Sequence, residues 1–353
     1  GKAPAYLGSS FAFLAPAGVI IASKGFAYAQ GAFVIVGLCG CVLSFIIYKT
    51  GTEWIDKVLP PAAMGPIVAL IGLELASYPV GGGNLGADFS DSKQVIVFAV
   101  TLGVAVFGSL LFRGFFSVIP LLIAMICGYA TAAAMGMVDF APVAAAKLFQ
   151  LPAFSSPKFD GQAILSMLPV LLVITAEHIG HQKVTGEIVG RDLIRDPGLH
   201  RSLFADDFST ALSGLVGSVP TTTYGENIGV MAVTGVYSVQ VIGGAAVISI
   251  ILAFVGPLSA LISTIPPAVI GGVTFLLYGM IGTSGLRLLV DQKVDYAKSK
   301  NLILTSVVLV AGFSGMVVEK GMLKLSGMSL AAAVGLLLGI VFYLLERANL
   351  INE

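Results

Sequence analysis

From Asn227 to Leu286 the chain carries no Asp, Glu, Lys or Arg, and this run opens directly behind a carboxylate, Glu226. An uncharged stretch of that length demands apolar surroundings, because about 20 mostly apolar residues already make one helical span of a bilayer. Where no water reaches, backbone N–H and C=O groups must be satisfied internally, which leaves helices or closed barrels. The rest of the chain has the same character. Of 353 residues, 57% are hydrophobic and only 11% charged, with a mean hydropathy of +0.97, whereas soluble domains carry roughly 25% charged residues. A membrane β-barrel needs alternating segments of ~10 residues. The uncharged runs here are far longer and do not alternate, so the sequence predicts an all-α polytopic membrane protein.

The net charge is zero, so no nucleic-acid partner is expected. Cys39, Cys41 and Cys127 lie in apolar runs without disulfide or zinc spacing, and are expected to pack in the interior. Gly1 to Leu7 has neither the positive nor the apolar region of a signal peptide. With no initiating Met, an N-terminal part is expected to be missing from this sequence.

Apolar segments predict about twelve spans. They are 7–22, 31–48, 61–77, 95–112, 115–138, 163–180, 203–219, 222–234, 239–262, 269–289, 302–318 and 325–345. Two are broken: the first, by Ser9-Ser10 and Pro16-Ala17-Gly18, and the half-length segment bearing Glu226. Asp139 to Gly161 reads as an irregular polar loop, and His181 to Arg201 as the longest polar segment. Alternating loops from Gly1 puts Lys24, Lys93, Lys147, Lys158, Lys320 and Lys324 on one side and the remaining thirteen of the 19 basic residues on the other. The richer side, with both chain ends, is expected to be cytoplasmic.

An internal repeat is visible. Pro60-Pro61-Ala62-Ala63-Met64-Gly65 recurs as Pro266-Pro267-Ala268-Val269-Ile270-Gly271, and Ala105-Val106-Phe107-Gly108 aligns at the same offset with Ala311-Gly312-Phe313-Ser314. The two Pro-Pro spans enter from opposite sides, so the repeats are inverted. Inverted repeats with discontinuous elements place a substrate near the midplane. Ser9 to Phe13 and Thr222 to Glu226 are the expected paired elements.

Two constellations can carry chemistry. Glu177 and His181 stand four apart on one helical face and make a proton-handling pair, or a structural pair at a helix end. His178 and His181 lack a third metal ligand and the H-E-x-x-H order, so no metal is expected. In the second constellation, Tyr224, the Gly225 amide and the Glu226 carboxylate supply an aromatic face, a donor and an acceptor. That set suits a flat heterocycle bearing both N–H and C=O; a kinked helix with a paired Glu226 is the plainer reading. Glu74 reads as gate or structural, Asp206 and Asp207 as first-turn charges of a helix, and Tyr278 as packing or a substrate contact.

The run Glu226-Asn227-Ile228-Gly229-Val230-Met231-Ala232-Val233-Thr234 resembles the signature [Q/E]-N-x-G-x-x-x-x-T of the nucleobase–ascorbate transporter family. The segments Pro4 to Phe13, Ala176 to His181 and Arg195 to Ser202 resemble its uracil permease branch, the uracil–proton symporters, and the resemblance covers essentially the whole chain. It implies inverted 7+7 transmembrane repeats with core and gate domains and short β-strands in two broken spans. The twelve spans are then three to fourteen. The first two fall outside this sequence, which either continues upstream natively or is a fragment.

The implied division is core 1–50, gate 51–138, extracytoplasmic loop 139–161, core 162–264 and gate 265–353. Glu177 and Glu226 match the acids that hold the pyrimidine, and His181 matches the histidine that hydrogen-bonds the first acid and bears on proton coupling. Phe11 and Gly225 match backbone positions at the substrate, and Tyr224 and Tyr278 match tyrosines that matter for binding or transport. Gly235 departs from the Arg common in relatives. The expected activity is import of uracil with a proton across the inner membrane, by movement of core against gate. Xanthine or another purine is the alternative substrate. No organic cofactor and no enzymatic turnover are expected. Expected partners are uracil, H+, lipid and a second copy in a homodimer.

Overall fold

A computed structural model describes residues 2–81, 86–321 and 323–350. Gly1, from which the loop alternation is counted, and Glu353, the outer bound of the division above, lie outside them.

In chain order, β1 (Leu7–Ser9) leads through a 3-10 turn at Phe11–Phe13 into α1 (Leu14–Lys24). Then come α2 (Phe26–Thr50), α3 (Ile55–Val58), α4 (Pro61–Glu74), α5 (Ser92–Leu111), α6 (Pro120–Ala134), α7 (Ala141–Ala145), α8 (Gly161–Met167), α9 (Val170–Val189) and α10 (Leu199–Val216). After them β2 (Thr221–Thr223) leads into α11 (Gly225–Thr234), α12 (Val239–Ala253), α13 (Gly256–Ser263), α14 (Pro267–Asp291) and α15 (Ser299–Phe313). A hairpin of β3 (Val317–Lys320) and β4 (Leu323–Ser326) precedes α16 (Gly327–Arg347). Among the described residues, six helical stretches are long and apolar enough to cross a membrane: 26–50, 61–80, 92–111, 161–189, 267–291 and 327–347. The segments 11–24, 120–134, 239–253 and 299–313 are shorter apolar helices.

Several predicted boundaries move, for identifiable reasons. The segment 239–262 is two helices, because Gly256-Pro257 starts α13 and a proline removes the donor and clashes with the preceding turn. Likewise Pro120 opens α6 and shortens the predicted span 115–138. His181 to Val189 is helical rather than loop. Gln182, Thr185 and Gly186 are buried there, and the helix ends only at Gly190, whose φ of 68° is the left-handed cap glycine adopts readily. The β3–β4 hairpin has no counterpart in the apolar pattern, and α7 is a helix within the predicted loop 139–161.

The described parts of Gly1–Glu74, Phe154–Ala232 and Ile281–Glu353 form one compact unit, and Leu75–Ala153 with Val233–Met280 form another. The first unit is built round a core including Phe13, Phe33, Ile67, Leu70, Met167, Val173 and Leu304, with Phe13 edge-on to Phe33 at 5.7 Å. Within it, α2 and α10 run antiparallel along a seam of small residues. A Cβ at Gly37 would strike the backbone of Asp207 and Ala211, and one at Gly40 would strike the Asp207 carboxyl. Small residues let helix backbones approach this closely where apolar lipid gives no hydrophobic drive. In the second unit, Phe98, Val97, Ala268 and Val269 form a smaller core, and Tyr129 OH meets Thr264 Oγ1 at 2.8 Å.

Both Pro-Pro motifs of the repeat do the same structural work. The second proline of each opens a helix, α4 at Pro61 and α14 at Pro267, where its fixed φ suits the first turn.

Candidate functional site

The two broken elements meet. β1 and β2 pair antiparallel with Leu7 opposite Thr223, Gly8 opposite Thr222 and Ser9 opposite Thr221. Ser10 N donates to Pro220 O at 2.9 Å and Tyr224 N to Tyr6 O at 3.3 Å, extending the match at both ends. Backbone that leaves a helix inside an apolar protein must find partners, and these two segments supply each other's. Each strand then feeds a helical start: β1 the turn at Phe11, β2 the N-terminus of α11 at Gly225, with Glu226 in its first turn.

Around this crossing the first unit assembles Phe11, Glu177, His181, Tyr224, Gly225 and Glu226. Tyr224 OH meets Ser9 Oγ at 2.9 Å, so the ring lies across β1, and a Cβ on Gly8 would overlap it. Thr222 Oγ1 donates to Glu177 Oε2 at 3.4 Å, and His181 Nδ1 lies 2.8 Å from Thr223 Oγ1. Thus α9 is fastened to β2 through successive threonines. The other ring nitrogen of His181 faces Gly225, where a Cβ would stand 3.3 Å from Nε2. Glu177 and Glu226 lie within electrostatic reach of each other. Glu226 is half-buried and makes no side-chain hydrogen bond or ion pair among the described residues. Its acceptor oxygens are available at a helix N-terminus, within electrostatic reach of a second carboxyl. Tyr278 is buried and belongs to the second unit, near Tyr78.

Other sequence readings resolve differently. Asp206 and Asp207 are not first-turn charges: α10 starts at Leu199, so both fall mid-helix and are buried. Asp206 Oδ2 lies 2.9 Å from His178 Nδ1, and His178 Nε2 lies 3.0 Å from Ser202 Oγ. This buried pair stands directly behind Glu177. The i, i+4 spacing of Ser202 and Asp206, with His178 next to Glu177, was the available signal. Thr222 and Thr223 were in the sequence motif, but only the strand register aims their hydroxyls at α9. Glu74 is structural: its Oε2 accepts the Met328 N–H at 2.8 Å, satisfying a free donor at the start of α16.

Residues 1–321 match the Xan_ur_permease family, described as the Permease family. The chain belongs to this permease family. The permease is 54% identical over 349 residues to the uracil permease of Escherichia coli K12, covering 98% of this chain and 81% of that protein. It is 46% identical over 354 residues to the uracil permease of Bacillus subtilis 168, covering 97% and 81%. Among solved structures it is similar to SLC26A9, with a TM-score of 0.64 at 12% identity, covering 98% of this chain and 58% of that one. It is also similar to the transmembrane domain of the cyanobacterial bicarbonate transporter BicA, with a TM-score of 0.61 at 14% identity, covering 94% and 81%. These likenesses establish the expected inverted 7+7 repeat fold. With its apolar helices the permease is a multi-pass membrane protein.

Proposed function

We propose that this permease imports uracil together with a proton. The observation that carries the reading is Glu226, an acceptor without a partner among the described residues, set at the β2–α11 break opposite Glu177. Uracil is flat and edged by N–H and C=O groups. The Glu226 carboxylate and the carbonyl oxygen of a protonated Glu177 accept its N–H groups, the Phe11 and Gly225 amides donate to its carbonyls, and the Tyr224 ring offers an aromatic wall. The uracil permeases named above support this choice of nucleobase.

Glu177 takes the coupling proton with His181 beside it, while Glu226 recognises the substrate. The divided chain acts as core (1–50 and 162–264) against gate (51–138 and 265–353), alternating access to the two sides of the inner membrane, with the chain ends of this sequence cytoplasmic. The working form is a homodimer in lipid, and no organic cofactor is needed.

Purified protein in liposomes tests this. Labelled uracil should accumulate against its gradient when the proton gradient points inward, and a protonophore should abolish it. Uptake that follows Na+ and ignores pH would sink the proton claim, and stronger competition by xanthine than by unlabelled uracil would transfer the substrate to the purines.

A further inference from the structure

Behind the substrate site, α10 carries two buried carboxyl groups in unequal circumstances. Asp206 and Asp207 are 3% and 1% exposed. Asp206 is compensated by His178, itself 1% exposed. Asp207 is not: both of its carboxyl oxygens are buried without a hydrogen-bond partner among the described residues, as is the second oxygen of Asp206. The contact register of the seam sets Gly40 of α2 against the Asp207 carboxyl. One turn along the same face of α2, Ser44 is also buried with its hydroxyl unpartnered. An ionised carboxylate in such a place forfeits its hydration and gains nothing in return, which is the costliest state a buried charge can have.

We propose that Asp207 is a proton-carrying carboxylic acid, a proton site of this permease additional to Glu177. A proton fits the geometry and a metal ion does not. The seam is closed so tightly that a Cβ on Gly40 would overlap the carboxyl, and among the described residues no group of three His, Cys, Asp or Glu side chains could hold a metal. The titratable groups facing the site are few. From α2 there is Cys41, within electrostatic reach of Asp207. On α10 itself there is Asp206. From α9, His178 and then Glu177 face Asp206. The β2 strand contributes only threonines. On ionising, Asp207 releases its acid proton and leaves a carboxylate beside Asp206, so its release is coupled to the charge of the His178–Asp206 pair. That pair adjoins the substrate carboxyl of Glu177.

Infrared spectroscopy of the purified full chain, recorded at neutral pH without uracil, tests the site apart from the transport reading. The expected result is a deuterium-sensitive band of a protonated carboxylic acid that is lost in Asp207→Asn and in Asp207→Ser but kept in Glu177→Gln. Persistence of that band in either Asp207 variant, its absence from the native protein, or its removal by Na+ at constant pH would overturn the proposal. Should neither Asp207 variant assemble, carbodiimide labelling of the native chain decides it. Modification mapped to the Asp207 peptide supports the proposal, and modification mapped only elsewhere overturns it.

Discussion

His181 Nδ1 on α9 stands 2.8 Å from Thr223 Oγ1 on β2, which ties the imidazole proposed for proton handling to the strand that delivers Glu226. Thr223→Val keeps the shape and removes the hydroxyl. Losing a hydrogen bond of this kind costs ~0.5–1.5 kcal/mol. Uracil affinity is expected to weaken roughly two- to tenfold and the pH profile of uptake to shift, with Thr223→Ser restoring both. Titration calorimetry at two pH values and uptake assays check this, and a Val variant indistinguishable from the native protein would count against the link.

Glu226 should be decisive for affinity. A hydrogen bond to a charged group is worth ~1.5–3 kcal/mol. Glu226→Gln keeps the size and one acceptor but loses the charge, so uracil binding should weaken about ten- to a hundredfold. Equilibrium binding measures it; undiminished affinity would remove Glu226 from the site.

The Gly8 position leaves no room for a side chain. A Cβ there would overlap the Tyr224 ring and push its hydroxyl away from Ser9. Overpacking of this sort costs ~1–3 kcal/mol. Gly8→Ala should lower uracil affinity and the thermal midpoint together, both read on the purified protein.

Along the α2–α10 seam, Gly40→Ala forces a methyl group against the Asp207 carboxyl and should destabilise by ~1–3 kcal/mol. Gly243→Ala is the control: a Cβ there meets nothing within 4 Å, and alanine favours the helix by up to about 1 kcal/mol. The midpoint should fall for the first and hold or rise for the second.

At the C-terminal end of α1, Lys24 Nζ donates to Asp160 Oδ1 at 2.6 Å. The same oxygen accepts the Ala163 N–H at 2.9 Å, capping α8. The Lys24 hydrogen bond first, then the Ala163 N–H, hold the Asp160 carboxyl below the usual carboxylate range. A depressed carboxyl stabilises the fold above its unfolded value, about 3.9, and the gain fades as pH falls through its lower folded value. The thermal midpoint of the native protein should therefore exceed that of Asp160→Asn at neutral pH and converge with it in strong acid. A gap that is constant across pH would show that the ionised carboxyl is not the source.

The fold class, the two broken spans and the repeat were legible in the chain, because each is a one-dimensional property. Apolar run length sets what can span a bilayer, glycine and proline mark where a helix must stop, and Pro60-Pro61 with Pro266-Pro267 repeats in the text itself. The pairing of Ser9 to Phe13 with Thr222 to Glu226 was also in reach, since broken backbone at depth requires a partner and these were the two breaks. Side-chain direction was not. Whether Thr222 and Thr223 reach α9 depends on strand register, and whether Asp206 meets His178 depends on how α9 and α10 pack. Asp206 and Asp207, adjacent in sequence, read alike as helix-start charges, yet only one has a compensating imidazole. The chain by itself determined that a carboxylate would stand where a broken segment restarts as a helix. Only the tertiary structure decided which buried acids are paired, because pairing is a matter of which helix faces which, and an apolar sequence leaves that to packing.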